Sequence, residues 1–134
     1  MLETIGASTE TLLSELLSTC QDTDQIAAQL AVHATNEPLQ QLLRDRAASY
    51  RDAARVLRAK GGVVALEDDA GLRIDREAEL DDIESVWEAI ECSALICFRD
   101  ALDSDLPEGL QREVRAWIEE GVSALERLRS LQTA

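Results

Sequence analysis

The sequence predicts an all-α four-helix bundle with one long crossover between the second and third helices, built as a single domain over residues 1–134. Three observations carry that prediction. The chain holds 20 Leu and 19 Ala but only 3% aromatic residues and two Pro, a mix that favours helix over sheet. Apolar residues recur at alternating spacings of three and four, the period of an α-helical face. The stretches between these periodic runs are unequal: two are a few residues long, whereas the middle one, about 61–79, is much longer. A chain of 134 residues has the size of one core.

The N-terminal third is the least regular. Leu12, Leu13, Leu16, Leu17 and Cys20 form one apolar run, and Ile26, Leu30 and Ala34 form another. Asp22-Thr23-Asp24 lies between them, and such side chains hydrogen-bond their own backbone in competition with a helix. The expectation is one long helix with a break, Asp24 capping its second piece. Asn36-Glu37-Pro38 then makes a tight connection, because Pro38 biases Glu37 away from the α region and suits a helical first turn.

The second helix is predicted over 37–60, where Leu39, Leu43, Ala47, Tyr50, Ala54 and Leu57 share a stripe. Lys60-Gly61-Gly62 ends it, since glycine adopts the left-handed conformation without a Cβ clash. The third is predicted over 76–103 from Leu80, Ile83, Trp87, Ile90, Ala94, Cys97 and Ala101, with an acidic start suited to the positive end of the helix dipole. The fourth is predicted over 107–132 from Leu110, Val114, Trp117, Gly121, Ala124, Leu128 and Leu131, with Pro107 in its first turn. Glycine inside a helix costs about 1 kcal/mol relative to alanine, so Gly121 reads as a point of close approach, under the Trp87 or Tyr50 ring.

Four arms of similar length pack as a bundle, and the short first and third connections force antiparallel neighbours. The middle connection reaches roughly 60 Å at about 3.3 Å per residue. That length lets the second and third helices run parallel. From Val63 to Asp82 it opens apolar and then carries eight acids and two arginines, without the residue order of a calcium loop, so it reads as an apolar start packed on the bundle end followed by a solvated connection.

The net charge of −14 repels polyanions, which argues against nucleic acid as a partner. One segment, 37–60, is basic, with six bases against three acids. It reads as a helix lodged between acidic neighbours of its own fold in preference to a docking strip for an anionic partner. Three cysteines, Cys20, Cys92 and Cys97, and the absence of a basic N-terminal leader pattern point to a reducing cytoplasm. Cys92 and Cys97 are five apart, which fits neither a redox nor a zinc motif, and Cys97 reads as a small core residue. No run approaches the length and apolarity of a membrane span, so no membrane partner is expected.

Four segments carry a resemblance to a known family: LLSELLSTCQD at 12–22, LLRDRAASYRDAARVLRAKGG at 42–62, IECSALICFRDALDSDLP at 90–107 and ERLRSL at 126–131. Over residues 9–132 the chain resembles small bacterial ferritin-like four-helix-bundle proteins of unknown function. The resemblance implies the ferritin-like bundle with its long crossover, a cytoplasmic bacterial setting and homodimers, and brings no established reaction.

Ferritin-like di-iron sites need a Glu from each of two helices and Glu-x-x-His from each of the other two. This chain has one histidine, preceded at three residues by Leu30. Positions where related bundles carry acids or His hold Gln29, Val32, Ser49, Ser93 and Leu125. Glu91 and Glu120 flank the stripes of the third and fourth helices and, with His33, are the weak candidates for metal ligands. His33 shares a face with Ile26 and Leu30, which predicts partial burial; a pair with Glu37 would favour its protonated form. No nucleophile set exists without recruiting His33, and Gly61-Gly62 follows a helix, the wrong order for a phosphate loop. The reading is therefore a non-catalytic module that oligomerises or binds a protein partner, with no cofactor and its di-metal site lost. The alternatives are a di-iron or di-manganese carboxylate protein and a carrier of an apolar ligand around Trp87, Trp117 and Tyr50.

Overall fold

The computed structural model describes residues 2–62 and 82–133, and every regular element among them is an α-helix: α1 (Leu2–His33), α2 (Glu37–Gly61), α3 (Ile83–Leu102) and α4 (Glu108–Thr133). None of the described helices is long and apolar enough to cross a membrane.

α1 has no break, contrary to the sequence expectation. The Thr23 hydroxyl folds back onto the Thr19 carbonyl at 2.6 Å, a bond the helix accommodates, and Asp24 reaches Arg51 of α2 at 3.2 Å instead of capping. Leu16, Leu17 and Cys20 before this point and Ile26, Ala27 and Leu30 after it are all buried. Packing on both sides therefore overrides the local preference of Asp-Thr-Asp, as it does for most helices in folded proteins.

α2 begins and ends as its residues dictate. The Asn36 side chain accepts from the Leu39 N–H at 3.1 Å, Pro38 occupies the first turn, and Gly62 stops the helix at φ +62°, its N–H donating to the Arg58 carbonyl at 3.2 Å. At the start of α3, Asp82 accepts from the Ser85 N–H at 3.2 Å, and hydrogen bonding to the Ser85 side chain, then to this N–H, lowers the Asp82 pKa. The predicted start at 76, Leu80 and the crossover from Val63 lie outside the described residues. Pro107 caps α4: its carbonyl accepts from the N–H groups of Leu110 and Gln111, both at 3.0 Å, one position ahead of the first turn expected for it.

The helices pack around one core in which α1 and α2, α3 and α4, α1 and α3, and α2 and α4 are neighbours. Lys60 meets Glu113 at 3.0 Å and Asp45 meets Arg127 at 3.6 Å, so α2 and α4 are antiparallel. Phe98 lies against Trp117 and Leu95 against Gly121, so α3 and α4 are antiparallel as well. α3 therefore runs parallel to α2, diagonally across the bundle, and Gly62 and Asp82 sit at opposite ends of the helix array. The basic α2 meets an acid on each of its two neighbours, Asp24 on α1 and Glu113 on α4, and Glu91 on the diagonal α3.

The predicted stripe of α2 is buried along its length. That of α3 is rotated: the buried residues are Trp87, Glu91, Ala94, Leu95, Phe98 and Ala101, while Ile90 and Cys97 are half-buried. Cys97 is thus at the edge of the core, 3.5 Å from the Thr19 hydroxyl. Gly121 does mark a close approach, but to an aliphatic chain and not a ring: a Cβ there would stand 2.7 Å from Leu95 Cδ2.

Candidate functional site

The polar feature of this core is a cluster joining α2 to α3. Arg46 and Tyr50 are one turn apart on α2 and therefore point the same way. Their common partner is Glu91, which is 0% exposed. Arg46 Nε donates to Glu91 Oε1 at 2.7 Å and Arg46 Nη2 to Glu91 Oε2 at 3.3 Å, a two-pronged match of guanidinium to carboxylate. The Tyr50 hydroxyl donates to Glu91 Oε2 as well. The Arg46 guanidinium also lies 5.0 Å from the centre of the Tyr50 ring.

Both charges are out of water, with Arg46 5% exposed. Burial works against the guanidinium's charge, but Glu91 and then Tyr50 outweigh it and raise its pKa. Burial pushes the Tyr50 phenol well above its ordinary range, and the adjacent carboxylate adds to this, against the opposing pull of Arg46. Breaking such a pair by removing one partner costs about 3–5 kcal/mol, because the other charge is left stranded in the core.

An aromatic shell surrounds the cluster. Tyr50 meets Trp87 edge to face at 6.4 Å and stacks on Phe98 at 6.1 Å, and Phe98 meets Trp117 at 5.7 Å. Phe98 occupies the space between Tyr50 and Trp117 that an apolar-ligand pocket would need. Trp87 is fully buried, and its indole N–H has no acceptor among the described residues. The thiol of Cys20 is also in the core, and burial raises its pKa, with Cys97 adding to the effect.

The three predicted ligands do not converge. Glu91 is at the centre of the core rather than on its flank, and it is engaged by Arg46 and Tyr50. Glu120 is exposed, on the wall of a shallow groove of about 420 Å³ between α2 and α4 that reaches Arg46 past Asp45 and Ser49. His33 is exposed in the last turn of α1, against the expected partial burial, because the chain leaves the helix there and only Ile26 and Leu30 of that face turn inward. Among the described residues no three His, Cys, Asp or Glu side chains come together as a metal site. A guanidinium and a phenol stand against the Glu91 oxygens where a cation would have to bind, so among the described residues the arrangement around Glu91 does not fit a di-metal centre.

Arg46 was not singled out by the pattern of apolar residues, yet the spacing held the signal. Arg46 is three after Leu43 and four before Tyr50, and Glu91 is four after Trp87 and three before Ala94, so each continues the buried stripe of its helix. A scan against protein-family models finds no match to this chain, and neither does a search of curated proteins.

Proposed function

We propose that this protein is a non-catalytic, ferritin-like helical bundle of the bacterial cytoplasm that acts through its surfaces, as a homodimer or as a module for another protein. The observation that carries this reading is the Arg46–Glu91 pair: a fixed protein cation neutralises the buried carboxylate and leaves neither an open coordination position nor a free base. The parallel run of α2 and α3 supports the ferritin-like arrangement, in which one long crossover links those two helices.

The test is elemental analysis of protein expressed with added iron and manganese and then gel-filtered, with light scattering on the same eluate. A metal-free oligomer, or a metal-free monomer that captures a defined protein, is the expected result. Iron or manganese at one or two per chain overturns it and restores the di-metal reading.

A further inference from the structure

The bundle consists of two helical hairpins, α1–α2 and α3–α4, each closed by a short connection. Hairpins of this kind have two ways to dock through the same inner faces. In the observed one α3 is parallel to α2 and diagonal to it. Turning the second hairpin end for end on the first gives the other: α3 and α4 exchange places, all neighbours are again antiparallel, and the same apolar stripes are buried. The 19 residues at 63–81 reach roughly 60 Å at about 3.3 Å per residue, long enough to join Gly62 to Asp82 either way. Leu and Ala dominate the inner faces, and their packing tolerates rearrangement as long as volume is kept. Something else has to choose.

We infer that the buried Arg46–Glu91 pair, with Tyr50, selects the parallel docking of the two hairpins over the end-for-end alternative. The argument is one of level. Arg46 lies three residues before the midpoint of α2, and Glu91 lies one and a half before the midpoint of α3. With the helices parallel and centred, the two differ by one and a half residues, about 2 Å along the axis. With the second hairpin reversed they differ by four and a half, about 7 Å. The fork seen at 2.7 and 3.3 Å joins the two side chains at nearly one level; an offset of about 7 Å does not reproduce that two-pronged match, and burying the charges without it is costly. A polar pair in an apolar core thus acts as a key for topology, as buried polar residues do for register in coiled coils.

The experiment measures the distance between spin labels at exposed positions 41 on α2 and 85 on α3, in protein whose Cys20, Cys92 and Cys97 are replaced by alanine. In the observed docking these sites are at the same end of the bundle. Reversal moves them apart by roughly 23 Å along the axis. The labelled parent is expected to give one short distance. Arg46→Met with Glu91→Met, which removes both charges while keeping the core filled, is expected to give a second, long population. The exchanged pair, Arg46→Glu with Glu91→Arg, restores attraction at the same level and is expected to return to the short distance alone. A single short distance in the Met pair overturns the inference, as does a long population in the exchanged pair. Should the Met pair fail to fold, Arg46→Leu with Glu91→Leu supplies the uncharged core, with the same expected long population and the same overturning result.

Discussion

Arg46 and Glu91 meet 45 residues apart in sequence and across the diagonal of the bundle, each using two atoms on the other. An apolar core of this composition does not need an ion pair for its stability, and pairs of this kind are often neutral or costly compared with well-packed hydrophobic residues. What the pair does impose is a penalty on any arrangement that separates its members.

That penalty is measurable by chemical unfolding. Glu91→Leu alone is expected to lower stability by about 3–5 kcal/mol, and Arg46→Leu alone by a similar amount, because each strands a charge. Together they should cost far less than the sum of the two. Additive losses in urea titrations of the four proteins would show that the residues are not coupled.

The tyrosine gives a second handle, since the chain contains only one. With its folded pKa raised by burial and by Glu91, Tyr50 keeps its proton where the unfolded chain loses it. The unfolded state therefore binds fewer protons above pH of about 10, and stability falls as pH rises there, by up to about 1.4 kcal/mol per pH unit. Absorbance at the phenolate band should remain flat until the protein unfolds, and the Tyr50→Phe variant should lose this part of the alkaline slope. A native-state phenolate transition near pH of about 10 would contradict the buried hydrogen bond.

Gly121 is expected to be coupled to Leu95. Alanine at 121 gains about 1 kcal/mol of helix propensity, but its Cβ would stand 2.7 Å from Leu95 Cδ2, so the neighbour must move. Gly121→Ala should destabilise the parent and should stabilise a Leu95→Ala background. Thermal unfolding of the four combinations reads this directly, and the same sign in both backgrounds would remove the close approach from the account.

The cysteines should separate kinetically. Cys20 is in the core with its thiol pKa raised by burial, whereas Cys92 and Cys97 are half-buried. An aromatic disulfide reagent is expected to titrate Cys20 last in native protein and all three at once in denaturant. Cys20 reacting as fast as Cys92 in native buffer would mean that α1 opens freely.

How much of this was written in the sequence depends on which force set each feature. The caps of α2 were legible because Asn36, Pro38 and Gly62 act through their own backbone. The continuity of α1 was not, because burial of Leu16 and Leu17 on one side and Ile26 and Leu30 on the other outweighs Asp22-Thr23-Asp24 only once α2 is in place. The orientation of α3 was hidden for a related reason. A charged residue is ordinarily assigned to a flank, so Glu91 placed the stripe one step away from Phe98, and the cost of burying it is met by Arg46, a residue on another helix. Glu120 and His33 were indistinguishable in the sequence from inward-facing ligands, and it is packing that turns them to solvent.

The ring-to-ring contacts of the core also have an optical consequence. Tyr50 lies 6.4 Å from Trp87, close enough to hand its excitation to the indole. Folded protein excited where tyrosine absorbs should therefore emit as tryptophan, and tyrosine's own emission should emerge only as α2 parts from α3. With one donor in the chain, that emission is a native gauge of the diagonal contact, readable in stopped flow without a single label.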